Sequence, residues 1–130
     1  MYQVTRQPDY AGWYLDSDRE RLPVLMWAGD LDAAGALLIE VLGEDATFEV
    51  RPAERTWKEL KGIADQVSDM RSRFDERGIL LVETEYDVKR NRIDVGIKAT
   101  KKKQAVAERM LAELDDAVRV RRVDVPQFDS

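Results

Sequence analysis

Apolar and polar positions alternate along several short stretches of the chain and recur at helical spacing along others. Val82, Thr84, Tyr86 and Val88 alternate with Glu83, Glu85 and Asp87, and Ile93, Val95 and Ile97 repeat the pattern. A period of two predicts strands, one face of each turned to a core. Between them lies Lys89-Arg90-Asn91-Arg92, where asparagine suits a left-handed turn position, so 80–99 reads as a β-hairpin. An earlier hairpin is predicted from 12–15 and 22–27, joined by the acidic run Asp16-Ser17-Asp18-Arg19-Glu20-Arg21. Single strands are expected at 47–51 and 118–123.

Helical spacing is clearest behind Thr56-Trp57-Lys58-Glu59. That tetrad fits a capping box, with the threonine accepting from a backbone N–H and Glu59 reaching back. Leu60, Ile63, Ala64, Val67, Met70 and Phe74 then form one stripe, and Gly78 can take the left-handed conformation that ends a helix. One helix over 56–78 would span about 35 Å. A second helix is expected over 101–116, with Thr100 as its cap and Val106, Met110, Leu111 and Leu114 on one face. A third is expected over 31–42, ending at Gly43.

The order is ββαβ, a connecting helix, and ββαβ again. The fold class is therefore α+β, with two small antiparallel sheets joined by a central amphipathic helix. The boundaries are 1–55 for the first unit, 56–78 for the helix, 79–125 for the second unit and 126–130 for a loose tail. A shift of seventy-one positions superposes Asp16 on Asp87, Leu22 on Ile93, Val24 on Val95 and Met26 on Ile97, as an internal duplication would.

Composition narrows the chemistry. The chain has neither cysteine nor histidine, which excludes disulfides, thiol nucleophiles, serine–histidine catalysis and thiolate–imidazole metal sites. The usual general base near neutral pH is missing, so the expectation is a protein that is not an enzyme and needs no cofactor. A net charge of −5 argues against nucleic acid as a partner. No apolar run approaches the length of a membrane span, so no membrane insertion is expected. The start lacks a basic-then-apolar leader pattern, which implies a cytoplasmic protein if Met1 is the native start. An excised domain would instead point outside the cell or to its envelope.

Three groups of residues invite a functional reading. Asp16–Glu20 is rich in calcium-type ligands, but an EF-hand loop would need glycine at Arg21 and glutamate at Trp27, so no metal is expected. Glu83, Glu85, Asp87 and Asp94 could serve as paired carboxylates, although a half-exposed sheet face shows the same alternation, and no catalytic residue is assigned. Apolar residues occupy both faces of the strand at 22–27. It is either a central strand covered on both sides or a sheet face awaiting a partner, with Leu25, Trp27 and Trp13 as the candidate surface. The last group is basic. Lys89, Arg90, Arg92, Lys98, Lys101, Lys102 and Lys103 form a candidate patch for an acidic surface, which the acidic stretch 9–32 could supply by self-association.

The stretch YAGWYLDSDRERLPVLMWAGD (10–30), the capped helix and YDVKRNRIDVGIKA (86–99) together resemble a bacterial, especially actinobacterial, pattern. It is the N-terminal accessory or pro-segment-like region of secreted proteins, some of which carry a serine protease of the alpha-lytic protease kind. The resemblance implies a small α+β region that docks on a protease, partly by strand pairing. The expected function is thus a non-enzymatic protein-interaction domain, which the resemblance would make protease-associated or pro-segment-like, with a protein partner or self-association. The alternative is a small-ligand-binding or regulatory domain with its pocket between the two units.

Overall fold

A computed structural model describes residues 2–123, and the expected tail at 126–130 lies outside the described residues. The chain divides into two units, one comprising residues up to 60 together with 88–91, the other the remainder. The division falls inside the central helix, after Leu60, and not at either of its ends.

The first unit opens with a one-turn helix α1 (Tyr2–Thr5), followed by strands β1 (Tyr10–Asp16) and β2 (Leu22–Trp27). Helix α2 (Leu31–Leu42) then crosses to β3 (Glu49–Pro52). The sheet order is β1-β2-β3, with β1 antiparallel and β3 parallel to the central β2. Asp30 starts α2 by accepting from the backbone N–H groups of Asp32 (2.9 Å) and Ala33 (3.4 Å). Ala34 and Leu38 of α2 pack with Val4, Tyr10, Leu25 and Trp27 on one sheet face. Burying a leucine such as Leu38 is worth about 1.5–3 kcal/mol, so this face carries much of the unit's stability. Ala11, Val24 and Met26 form a second, smaller cluster with Tyr14, Ala53 and Val88.

Helix α3 (Trp57–Asp69) begins at the expected capping box. Glu59 N–H donates to the Thr56 hydroxyl and Thr56 N–H to the Glu59 carboxylate, both at 3.1 Å. The single helix expected over 56–78 is in fact two. Met70 sits at φ −86°, ψ −1°, outside the helical range, and α4 (Arg71–Asp75) follows it. No proline or glycine marks that break, so periodicity alone runs straight through it. The expected stop at Gly78 is present. Its φ is +72°, and Ile79 N–H donates to the Phe74 carbonyl across it, a Schellman-type closure.

The second unit continues with β4 (Leu80–Asp87), β5 (Arg92–Lys98), α5 (Lys101–Ala112) and β6 (Val118–Arg122), in sheet order β4-β5-β6. Ile93, Val95 and Ile97 are fully buried on the helix side. Helix α5 stops four residues before the expected 116, where the Asp115 carboxylate accepts from Ala117 N–H (2.8 Å) and turns the chain into β6.

The two sheets match in topology and register. Leu25 pairs with Val50 as Val95 pairs with Val120, and the caps Asp30 and Thr100 precede helices of equal length. Fully buried Val4 and Phe74 stand on corresponding helices. Each of these pairs is separated by seventy positions, not seventy-one. The seventy-one relation holds only for the first strands, because the loop after Asp16 is one residue longer than the loop after Asp87. Superposing Val24 on Val95 therefore matched residues on opposite sheet faces. Leu25 is the counterpart of Val95.

Thr100 caps α5 as expected, accepting from Lys103 N–H at 3.2 Å. Three lysines nevertheless occupy the first turn, where the helix dipole disfavours cations. Lys103→Glu would complete the reciprocal box that Thr56 and Glu59 make, and we expect it to raise stability by about 0.5–1 kcal/mol in thermal unfolding. A fall would show that the Lys103 side chain, which lies over Gly78, matters more than the charge.

Candidate functional site: an apolar groove in the first unit

Residues on the helix side of the first sheet do not all meet α2. A bulge between Tyr10 and Trp13 puts one extra residue into β1, so both aromatics face the α2 side, opposite Trp27 and Leu25. Tyr10 lies under the core cluster. Trp13 lies beyond it, 44% exposed, with Leu15 38% exposed on the same side. On α2, Ile39 and Leu42 are both 44% exposed. A cavity of about 180 Å³ opens between these elements, lined by Trp13, Pro23, Leu25, Leu38, Leu42 and Phe48, with almost no polar surface. Scattered exposed apolar residues are ordinary; several gathered around one cavity are not.

The candidate surface drawn from the sequence is thereby divided. Trp13 belongs to the groove. Leu25 contributes only to the groove's floor and Trp27 not at all: they are 2% and 5% exposed, core residues of a central strand covered on both faces. Pro23, Leu42 and Phe48 escaped sequence reasoning. One pattern pointed their way: LDAAGALLIEVL is apolar almost all round, more than a single buried face can absorb.

The basic residues are divided between the two units. Lys89 and Arg90 belong to the turn grouped with the first unit, and Lys89 acts on the Asp16 carboxylate. Arg92 is committed to ion pairs with Asp94 (3.1 Å) and Asp87 (3.5 Å). Lys98 and Lys103 line a shallow cleft of about 550 Å³ with Thr100 and Arg122, while Lys101 and Lys102 point to solvent on the first turn of α5. The carboxylates of the second sheet are likewise spoken for, since Arg121 pairs with Glu83 and reaches Glu85 at 3.9 Å. Each of the four carboxylates on this face has an arginine partner. Among the described residues no group of three or more acidic side chains could hold a metal, and no helix is long and apolar enough to cross a membrane.

On the opposite face of the first sheet lies a charged network. Asp16 accepts from Arg19 Nε (2.9 Å) and Asp18 N–H (3.1 Å). Arg19 also binds Glu49, which pairs with Arg51, and Arg51 donates to the Tyr14 hydroxyl (2.9 Å). Hydrogen bonds from Arg19 hold both the Asp16 and the Glu49 carboxyls below their ordinary range. A carboxylate lowered in the folded state stabilises the fold above its unfolded value, and that contribution is lost as pH falls through the folded one. Stability should therefore be flat near neutrality and decline below about pH 4. Asp16→Asn should be less stable than the parent at pH 7 and converge with it in acid, as urea midpoints across pH would show. Parallel curves would remove Asp16 from the acid response.

No protein-family model matches the chain, and no curated protein matches it.

Proposed function

We propose that the chain is a non-enzymatic protein-interaction module that binds a partner through the apolar groove of its first unit. The supporting observation is the exposed Trp13, Pro23 and Leu42 around one apolar cavity, with Leu15 next to Trp13 on the same strand face. Buried aromatic anchors in such pockets carry most of the affinity of an interface. The resemblance to accessory regions of secreted bacterial proteins would make a protease domain one partner of this kind.

The test compares the parent with a Trp13→Glu/Leu42→Glu variant. Both positions are well exposed, so circular dichroism and the urea midpoint should change little. A partner captured from cell extract, identified and purified, should bind the parent in calorimetry and lose at least about tenfold in affinity for the variant. Sedimentation of both proteins tells whether the partner is a second copy. A partner bound equally by both would overturn the groove as the interaction surface.

A further inference from the structure

We infer that the groove receives an amphipathic helix from the partner; this rests on the interaction reading above and names the element that fills the site. The second unit shows what covers the corresponding strip. There the counterpart of Pro23 is Ile93, and the counterpart of Trp13 is Thr84. Pro23 is exposed, whereas Ile93 has no exposed surface; Trp13 is 44% exposed, whereas Thr84 is half-buried; only Leu15 and its counterpart Tyr86 are alike, both more than a third exposed.

Helices α3 and α4 account for that difference. Within the second unit, Ile63, Ala64 and Val67 of α3 and Phe74 of α4 are buried, presenting one apolar stripe. Arg71 Nη1 donates to the Leu81 carbonyl at 3.0 Å, and α4 packs against β4. Asp65 acts on the Tyr86 phenol near the other end of that strand. Thus α4 packs on β4, and α3 leads from it toward Tyr86. In the first unit the place of α4 is taken by α1, whose Val4 stands where Phe74 stands. Among the described residues no helix of the first unit continues over Trp13 and Pro23. Where the second unit has α3, α4 and α5, the first has only α2 and the single turn α1, which leaves a helix-shaped gap on this face.

The lining and the edge agree. An added strand would need a regular row of free backbone groups on β1, but the bulge at 10–13 breaks that row. The cavity walls offer almost no polar group to an extended peptide. A helix satisfies its own backbone and needs only an apolar stripe spaced i, i+3 or i+4, and i+7. Glu44 and Asp45 follow Leu42 and Gly43 directly at the end of α2 and are exposed. They favour lysine or arginine at the rim of the incoming helix.

The experiment is a selection on the full chain from a displayed library of about 18-residue peptides, both helix-forming and strand-forming. Selected peptides are synthesised and titrated against isotope-labelled protein. We expect enrichment of apolar residues at i, i+3 or i+4, and i+7 with basic flanks. Resonance shifts should centre on Trp13, Leu15, Leu38 and Leu42, and affinity should fall at least about tenfold with Trp13→Glu/Leu42→Glu. Peptides alternating at i, i+2 that still need Trp13 would overturn the helix and leave the interaction reading standing. No enrichment, or binding indifferent to the variant, would sink both.

Discussion

Replacing Asn91 by alanine should destabilise the protein by about 2–4 kcal/mol, although the residue makes no contact with the proposed groove. Its side chain addresses one peptide segment from both sides. The carboxamide oxygen accepts from Arg55 N–H at 2.8 Å, and the amide donates to the Arg55 carbonyl at 3.0 Å. Asn91 is only 8% exposed, so removing it strands a part-buried donor and acceptor that together cost about 1–3 kcal/mol. Its φ of +55° adds about 1 kcal/mol against alanine. Asn91→Gly separates the two causes, because glycine accepts the angle but makes neither bond. Urea midpoints should fall in the order parent, glycine, alanine. A glycine variant as stable as the parent would show that the Arg55 bonds contribute nothing.

That asparagine was partly legible in the sequence, and the boundary of what was legible is instructive. The alternation around residue 90 and the left-handed preference of asparagine together place the turn. Nothing local reveals that its carboxamide would bond a residue thirty-six positions away. Caps and stops behave likewise: Thr56, Glu59, Thr100 and Gly78 act through neighbours within five residues, and all four do what their chemistry predicts. The break at Met70 was invisible, because Ile63, Val67, Met70 and Phe74 keep helical spacing across it.

The groove was legible only in part. An apolar residue announces that it will leave water, but not which element will cover it. Leu25, Trp27 and Trp13 look alike as sequence. They differ because α2 reaches the first two and stops short of the third. The seventy-one relation misassigned faces for a related reason. The additional loop residue offsets the comparison by one, so a shift of seventy-one sets residues of opposite faces together beyond it, and hydrophobicity could not expose the slip in a strand apolar on both faces.

Gly12→Ala should cost about 2–5 kcal/mol, the largest single-site loss we expect on this face of the sheet, from two separable causes. Gly12 sits in the β1 bulge at φ +111°, a conformation that side chains rarely adopt, with strain of about 1–3 kcal/mol for alanine. A Cβ there would also lie 2.7 Å from Val88 Cγ1 and 3.5 Å from Trp57 Cε3. Valine is stiff about χ1 and cannot turn both methyls away, so the crowding adds about 1–3 kcal/mol. The same backbone distortion brings Tyr10 and Trp13 to one face, so an alanine that forces the bulge to relax should also alter the groove. A double-mutant cycle with Val88→Ala divides the loss: the cost of Gly12→Ala should shrink by about 1–2 kcal/mol in that background but not vanish. Full additivity would exclude the clash, and complete rescue would exclude the backbone strain. A Gly12→Ala protein of parental stability would mean that β1 can run without its bulge. In that case Trp13 would turn away from the groove, and the affinity of any helical ligand should fall with it.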